Sequence, residues 1–512
     1  MKDINHPARE GGHGLRAGQE QALDRLLDYY QHTAALAQAR LARQTRAGPR
    51  AAAQADPPAA PPLKHAEQAL AWARTDRDNL LACLDYVTAA GQDARVIALT
   101  AGVAALLRRD GPWTDAVTRH ASAVGAARRA GDRLSEANAL TDLGDVLRAS
   151  GDRQAASRAL EEALGIYRDL GDRLGEANAL DELGVVRWVT DDYQGAARAL
   201  EEALAIYRDL GNQPGEANAL IELGCVRRTT GDYPGAASAF AEALGIHRDL
   251  GDRLGGATAL RELGIVRRLT GDYPMAVGAF TEALGIYRDI GDRLGEANAL
   301  SDLGVLRLKT GDYPSATRAL GEALRISRAL GDRLGEANAL NDLGIARRLM
   351  GDYPGAAQAH DEARGIFAEL GGQLGEANTL TCLGIVRRLT NDYPGAARAL
   401  DTALIIFRDL GDRGGEATAL NERGTLHRLG GEPAEAEACH QQALELARAI
   451  GSAWDEAHAL VGLGCYAAVV GHTTRARALL RQAHTIFQRI GAADATVVLA
   501  ELNALNNPVP GQ

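Results

Sequence analysis

One pattern of forty residues is written nine times in this chain. Counted from Gly131, the units run without a gap to Ile490. GDRLGEANAL stands at Gly171, Gly291 and Gly331, with variants at Gly131, Gly251 and Gly411. GDYPGAASAFAEAL begins at Gly231, with near-copies at Gly271, Gly311 and Asn391. Self-similarity at a fixed period in this range dictates a stacked array, because one short unit cannot bury its own apolar face.

Each unit reads as two helices. The first runs roughly from Leu174 to Thr190, after Asp172, which can cap its free N–H groups. The second follows Asp192 and ends at a glycine such as Gly211. Proline often stands in its first turn (Pro234, Pro274, Pro314, Pro354, Pro394), where a missing N–H does little harm. Ala196, Leu200, Ala203, Leu204 and Tyr207 form an apolar stripe at helical spacing. With 46% hydrophobic but only 4% aromatic residues, the chain suits helices packed through small side chains. Gly184 recurs mid-helix in every unit, from Gly144 to Gly464. A mid-helix glycine costs about 1 kcal/mol against alanine, so its repetition predicts a close approach there.

Leu223, Gly224, Gly231, Tyr233, Ala236, Phe240, Ala243 and Leu244 stand in an order and spacing that resembles the tetratricopeptide repeat (TPR). The resemblance implies an all-α fold, a right-handed α-solenoid of about nine hairpins with helical caps, first helices lining the concave side. It implies almost nothing about a ligand.

The expected organisation is an irregular start (1–16), an amphipathic helix (17–44), an Ala/Pro-rich linker (45–64) and degenerate repeats (65–130). The nine repeats (131–490), a capping helix (491–505) and a tail (506–512) complete it. In residues 91–130, Trp113, Ala116, His120 and Ala123 occupy second-helix slots of a worn repeat. ALDRLLDYYQHTA, the linker, ALAWARTDRDNLLACLDYV and GPWTDAVTRHASAVGAARRAGDR resemble a junction in actinobacterial STAND-class regulators. There a nucleotide-binding NB-ARC core is joined to a TPR sensor array. No GxxxxGK[ST] occurs here, so the resemblance covers the sensor region alone and no ATP chemistry is carried over.

A net charge of -11 disfavours nucleic acid as a partner. No run reaches transmembrane length, and five scattered cysteines without CxxC spacing suit a reducing cytoplasm. No cofactor, metal site or catalytic constellation is expected. His120, His360 and His440 take the Leu200 slot as core substitutions. Cys439 beside His440 is adjacency rather than a dyad, since neighbouring helical residues point about 100° apart. Paired acids such as Glu161 and Glu162 should face solvent.

Comparing the units separates letters that hold the stack from letters free to vary. Residues 178, 181, 185 and 188 share one face of the first helix, beside its packing stripe. The opening slot is asparagine at Asn138, Asn178, Asn218, Asn298, Asn338 and Asn378. These amides either pin a peptide backbone or bond neighbouring helices. The next slot wanders through Asp181, Ile221, Arg261 and Asn341, as a ligand-reading or a merely solvated position would. The third is small and apolar (Val185, Cys225, Ile265, Val305, Ile345, Ile385). The last is usually arginine, at Arg148, Arg228, Arg268, Arg348, Arg388 and Arg428. A guanidinium there suits a ligand carboxylate, or the helix dipole. Acids such as Glu182, Glu222, Glu262, Asp302, Asp342 and Glu422 could neutralise that column across units. Trp188 breaks the arginine pattern and is a candidate interaction anchor.

The expectation is a non-catalytic scaffold binding a protein or peptide in its concave groove, as the sensor part of a bacterial signalling system. A STAND/NB-ARC ATPase or effector would then act in trans. The alternatives are a stand-alone cytosolic peptide receptor and a self-associating structural array.

Overall fold

A computed structural model describes residues 11–41 and 60–506 of the chain. They form 24 helices, with no strand among the described residues. Most of the expected linker and nearly all of the C-terminal tail lie outside them, as do residues 1–10. The first helix, Gly11–Leu41, both starts and ends earlier than the expected 17–44. The chain divides into two compact units, Met1–Val226 and Arg227–Gln512.

In the first unit the N-terminal helix buries Leu27, Tyr30, Ala34 and Ala37. It packs against Ala66–Thr75 and Asp93–Asp110. Tyr30 donates to Asp76 at 3.0 Å, and Gln38 accepts the Ala105 amide at 2.9 Å. The apolar stripe read at the start of the chain is therefore covered by its own array. Asp93–Asp110 and Trp113–Ala130 form the worn hairpin, with Ala116, His120 and Ala123 buried and Trp113 exposed.

The hairpins themselves are punctuated as the sequence dictates. In the unit from Gly171, Asp172 accepts the Gly175 amide at 3.1 Å and opens the helix Arg173–Trp188. Asp192 accepts the Gly195 amide at 2.9 Å and opens Tyr193–Leu210. At each second-helix end the chain turns left-handed. Asp172 donates its amide to the Tyr167 carbonyl at 3.0 Å and Gly171 donates to Arg168 at 3.2 Å, a Schellman closure.

The mid-helix glycines do mark close approach, though of a side chain against a backbone. A Cβ on Gly184 would stand 2.6 Å from Leu200 Cγ, and one on Gly344 would stand 2.5 Å from the His360 ring. Deleting a side chain at this place lets the second helix sink its bulkiest inner residue onto the first.

Successive hairpins are also stapled by charge. Arg168 donates to Glu176 at 2.8 Å and to Glu202 at 2.6 Å, while Arg173 reaches Glu176 at 2.7 Å. In the second unit Arg328, Arg333, Glu336 and Glu362 repeat the figure. Burial pulls the Glu336 carboxyl up, but the two guanidinium groups outweigh it and hold it below its usual range. Glu176 and Glu336 sit in the first turns of their helices and Arg168 and Arg328 in the last turns of theirs, so these four also complement a macrodipole.

Within the second unit the end of the array returns to its beginning. The Ala493 amide donates to the Lys309 carbonyl at 3.0 Å, capping the helix Arg293–Thr310. Lys309 Nζ stands 3.5 Å from the Trp454 ring centroid, and Trp454 in turn packs on His458 and Phe487. Gly271 and Gly311 make room for this return. Both have positive φ, and added Cβ atoms would meet Ile490 at 2.6 Å and Ala493 at 3.1 Å.

Candidate functional site

First helices of neighbouring hairpins touch one another along the second unit. The variable slots therefore line its inner face. The structure sorts those slots into satisfied and open positions.

In the opening slot, Asn138 accepts the Tyr167 hydroxyl and Asn178 accepts that of Tyr207, each at 2.8 Å. Asn178 is only 3% exposed. At these two positions the asparagine holds its own hairpin together. The equivalent phenol is replaced by Ser327, Phe367 and Phe407 in the units from Gly291, Gly331 and Gly371. Asn298 is half-buried there, and Asn338 and Asn378 are exposed. Among the described residues none of these three amides has a hydrogen-bond partner. Asn218 is half-buried.

The second slot was expected to be free of packing, and the structure corrects this. Asp181 is 1% exposed. Asn341 accepts from His360 at 2.9 Å, and Asn421 from His440 at 3.2 Å. Arg261 grips Asp302 at 2.6 Å and Glu262 at 3.2 Å. Ile221 is half-buried, as are Ser301 and Val461 in the same slot. The signal was present in the sequence: of the nine repeats, only those with His360 and His440 in the second helix carry asparagine in this slot. Burial pushes both imidazoles down to about 4, so they are neutral at physiological pH.

In the third slot Val185, Cys225 and Ile265 are buried, while Val305, Ile345 and Ile385 stay half-buried. Trp188 is half-buried. In the last slot Arg148 turns back onto Asp145 of its own helix at 2.5 Å. Arg228 pairs with Glu262 at 3.5 Å and Arg388 with Glu422 at 3.0 Å, the cross-unit neutralisation anticipated above. Arg268, Arg348 and Arg428 make no ion pair among the described residues.

His440 is buried in the core, and burial also pushes the Cys439 thiol up. Among the described residues, no three His, Cys, Asp or Glu side chains converge as a metal site. No helix among them is long and apolar enough to cross a membrane.

Stacked helical hairpins with an inner row of variable polar residues define the class of helical-repeat scaffolds. The tetratricopeptide repeat profile matches residues 96–169, 175–249, 256–329, 295–369, 375–449 and 415–489, and the chain belongs to that family. Among curated proteins no sequence matches. A Rap protein complexed with Competence and Sporulation Factor is similar in structure, with a TM-score of 0.54 and 16% identity over 69% of this chain and 98% of its own. The apo quorum sensor NprR from B. thuringiensis gives a TM-score of 0.48 and 14% identity, covering 74% of this chain and 99% of its own. PH0952, a STAND protein with a TPR sensor from Pyrococcus horikoshii, gives 0.43 and 14% over 76% of this chain and 55% of its own. At 16% identity the likeness to the Rap structure speaks for the fold alone.

Proposed function

We propose that the protein is a non-catalytic recognition scaffold that binds an extended peptide or protein segment on the inner face of its second unit. The observation that carries this reading is the run of three open amides, Asn298, Asn338 and Asn378, on consecutive first helices. The same slot is consumed internally at Asn138 and Asn178. A primary amide offers two donors and an acceptor, which matches a peptide backbone group. Packed helices stand roughly 8–10 Å apart, so three such amides could meet about every third residue of an extended chain. The half-buried Val305, Ile345 and Ile385 supply apolar contact between them. The Rap structure complexed with Competence and Sporulation Factor offers a precedent on a similar fold. In the reading as a bacterial sensor, the N-terminal helix Gly11–Leu41 and its partners would pass binding on to an effector supplied in trans.

The test is selection of a random heptapeptide library on the full chain, then titration of the selected peptides. The Asn298→Ala/Asn338→Ala/Asn378→Ala variant should bind at least about tenfold more weakly, each lost hydrogen bond contributing roughly 0.5–1.5 kcal/mol. Unchanged affinity in the triple variant, or a library from which nothing is retained, overturns the reading.

A further inference from the structure

We propose that this inner face selects a segment bearing one basic side chain and one carboxylate, the base received by Asp342 and the carboxylate by Arg348. The proposal rests on the peptide-binding reading above and adds the chemistry of the ligand.

The argument comes from a ladder and its breaks. A last-slot arginine meets the acid thirty-four residues later, as Arg228 meets Glu262 and Arg388 meets Glu422. The rungs between them fail for three separate reasons. Arg268 loses Asp302, which Arg261 already holds at 2.6 Å. Leu308 stands where Asp342 needs a cation, and it is buried in an apolar cluster with Leu320 and Leu343. Cys382 stands where Arg348 needs a carboxylate, and burial pushes its thiol up to about 12, so it supplies no negative charge.

Two of these breaks fall on a single helix, Arg333–Leu349. They leave one carboxyl and one guanidinium without a partner among the described residues. Arg348 Nε is enclosed and its N–H donates no hydrogen bond among the described residues. Burial, opposed only partly by Arg268, pushes the Asp342 carboxyl up to about 7, the mark of an acid lacking its counter-ion. Asn338, Asp342, Ile345 and Arg348 follow at spacings of four, three and three, so they share one face. Asp342 and Arg348 are separated by about 9 Å along the helix. Two or three positions of an extended chain span a comparable length, at about 3.3 Å each. A segment held by the Asn338 amide would then bring its own charges to both open rungs.

The experiment uses the full chain and a positional-scanning library of free heptapeptides. The wild type should enrich Lys or Arg at one position and a carboxylate two or three positions away. Asp342→Asn should abolish the basic preference alone, with the affected peptides weakened about tenfold or more. Cys382→Glu introduces the residue type used at Glu262 and Glu422, completes the rung with Arg348, and should abolish the acidic preference alone. Thermal melts of both variants confirm folding. C-terminal amidation distinguishes the carboxylate's source: retained binding assigns it to a side chain and lost binding to the terminus, and either supports the pairing. Peptides enriched without charge preference, or preferences that survive both substitutions, overturn this proposal while leaving the groove reading intact. A library from which nothing is retained removes both.

Discussion

Lys309 Nζ lies 3.5 Å from the centre of the Trp454 ring, and the carbonyl of the same lysine accepts the Ala493 amide at 3.0 Å. In an ordinary repeat array stability is a sum over neighbours. Here the last hairpin is also tied to two distant ones. Trp454→Ala should remove a contact of roughly 1–2 kcal/mol. Hydrogen exchange should then quicken around Gly271 and Gly311 as well as in residues 453–506. Acceleration confined to the C-terminal end would show that the contact carries no coupling.

His360 provides a pH signature. Its imidazole is buried, bonded to Asn341, and pushed down to about 4 from an ordinary 6.5. Between those values the unfolded chain takes up the proton and the folded chain does not. Stability is therefore full above pH 6.5 and falls as the pH drops toward 4, by about 1 kcal/mol per pH unit from this group. His360→Leu, the residue type at Leu200 and Leu320, should flatten that part of the profile in thermal melts. An unaltered slope would place the acid sensitivity elsewhere.

One slot should give opposite results in different units. Asn178→Ala deprives the Tyr207 hydroxyl of an acceptor at 2.8 Å and should lower stability by about 1 kcal/mol. Asn338→Ala removes an exposed amide without a partner and should stay within about 0.5 kcal/mol of wild type. Chemical denaturation of the two variants checks the contrast, and equal losses would contradict it.

The glycines make a similar pair. Gly304→Ala would set a Cβ 2.5 Å from Leu320 Cγ, and overpacking of this kind costs roughly 1–3 kcal/mol. Gly245 is exposed in a helix with nothing within 4 Å of its added Cβ. Gly245→Ala should raise stability by about 0.5–1 kcal/mol. Melting temperatures shifting in the same direction would refute the packing account.

The hairpins, their aspartate caps and their glycine ends could be read from the sequence because these are local. Asp172 needs only its own helix to be a cap, and Gly211 only its own φ. The inner face was harder because its side chains choose among partners on other helices. Asn178 and Asn338 look alike in sequence and differ only through Tyr207 and Phe367, each twenty-nine residues downstream. Asn341 looked free until His360 was seen to hold it. The Arg168–Glu176 staple went unread because arginine and glutamate are plentiful in every unit, so no spacing singled it out. The contact of Lys309 with Trp454 had no periodic signal, since each residue occurs once in its slot.

Because Ala493 seats itself on the carbonyl of Lys309, the second unit is fastened edge to edge along one side. Parting that seam would break the Lys309–Ala493 hydrogen bond and the Lys309–Trp454 contact together, so any molecule that spreads these hairpins must offset both at once.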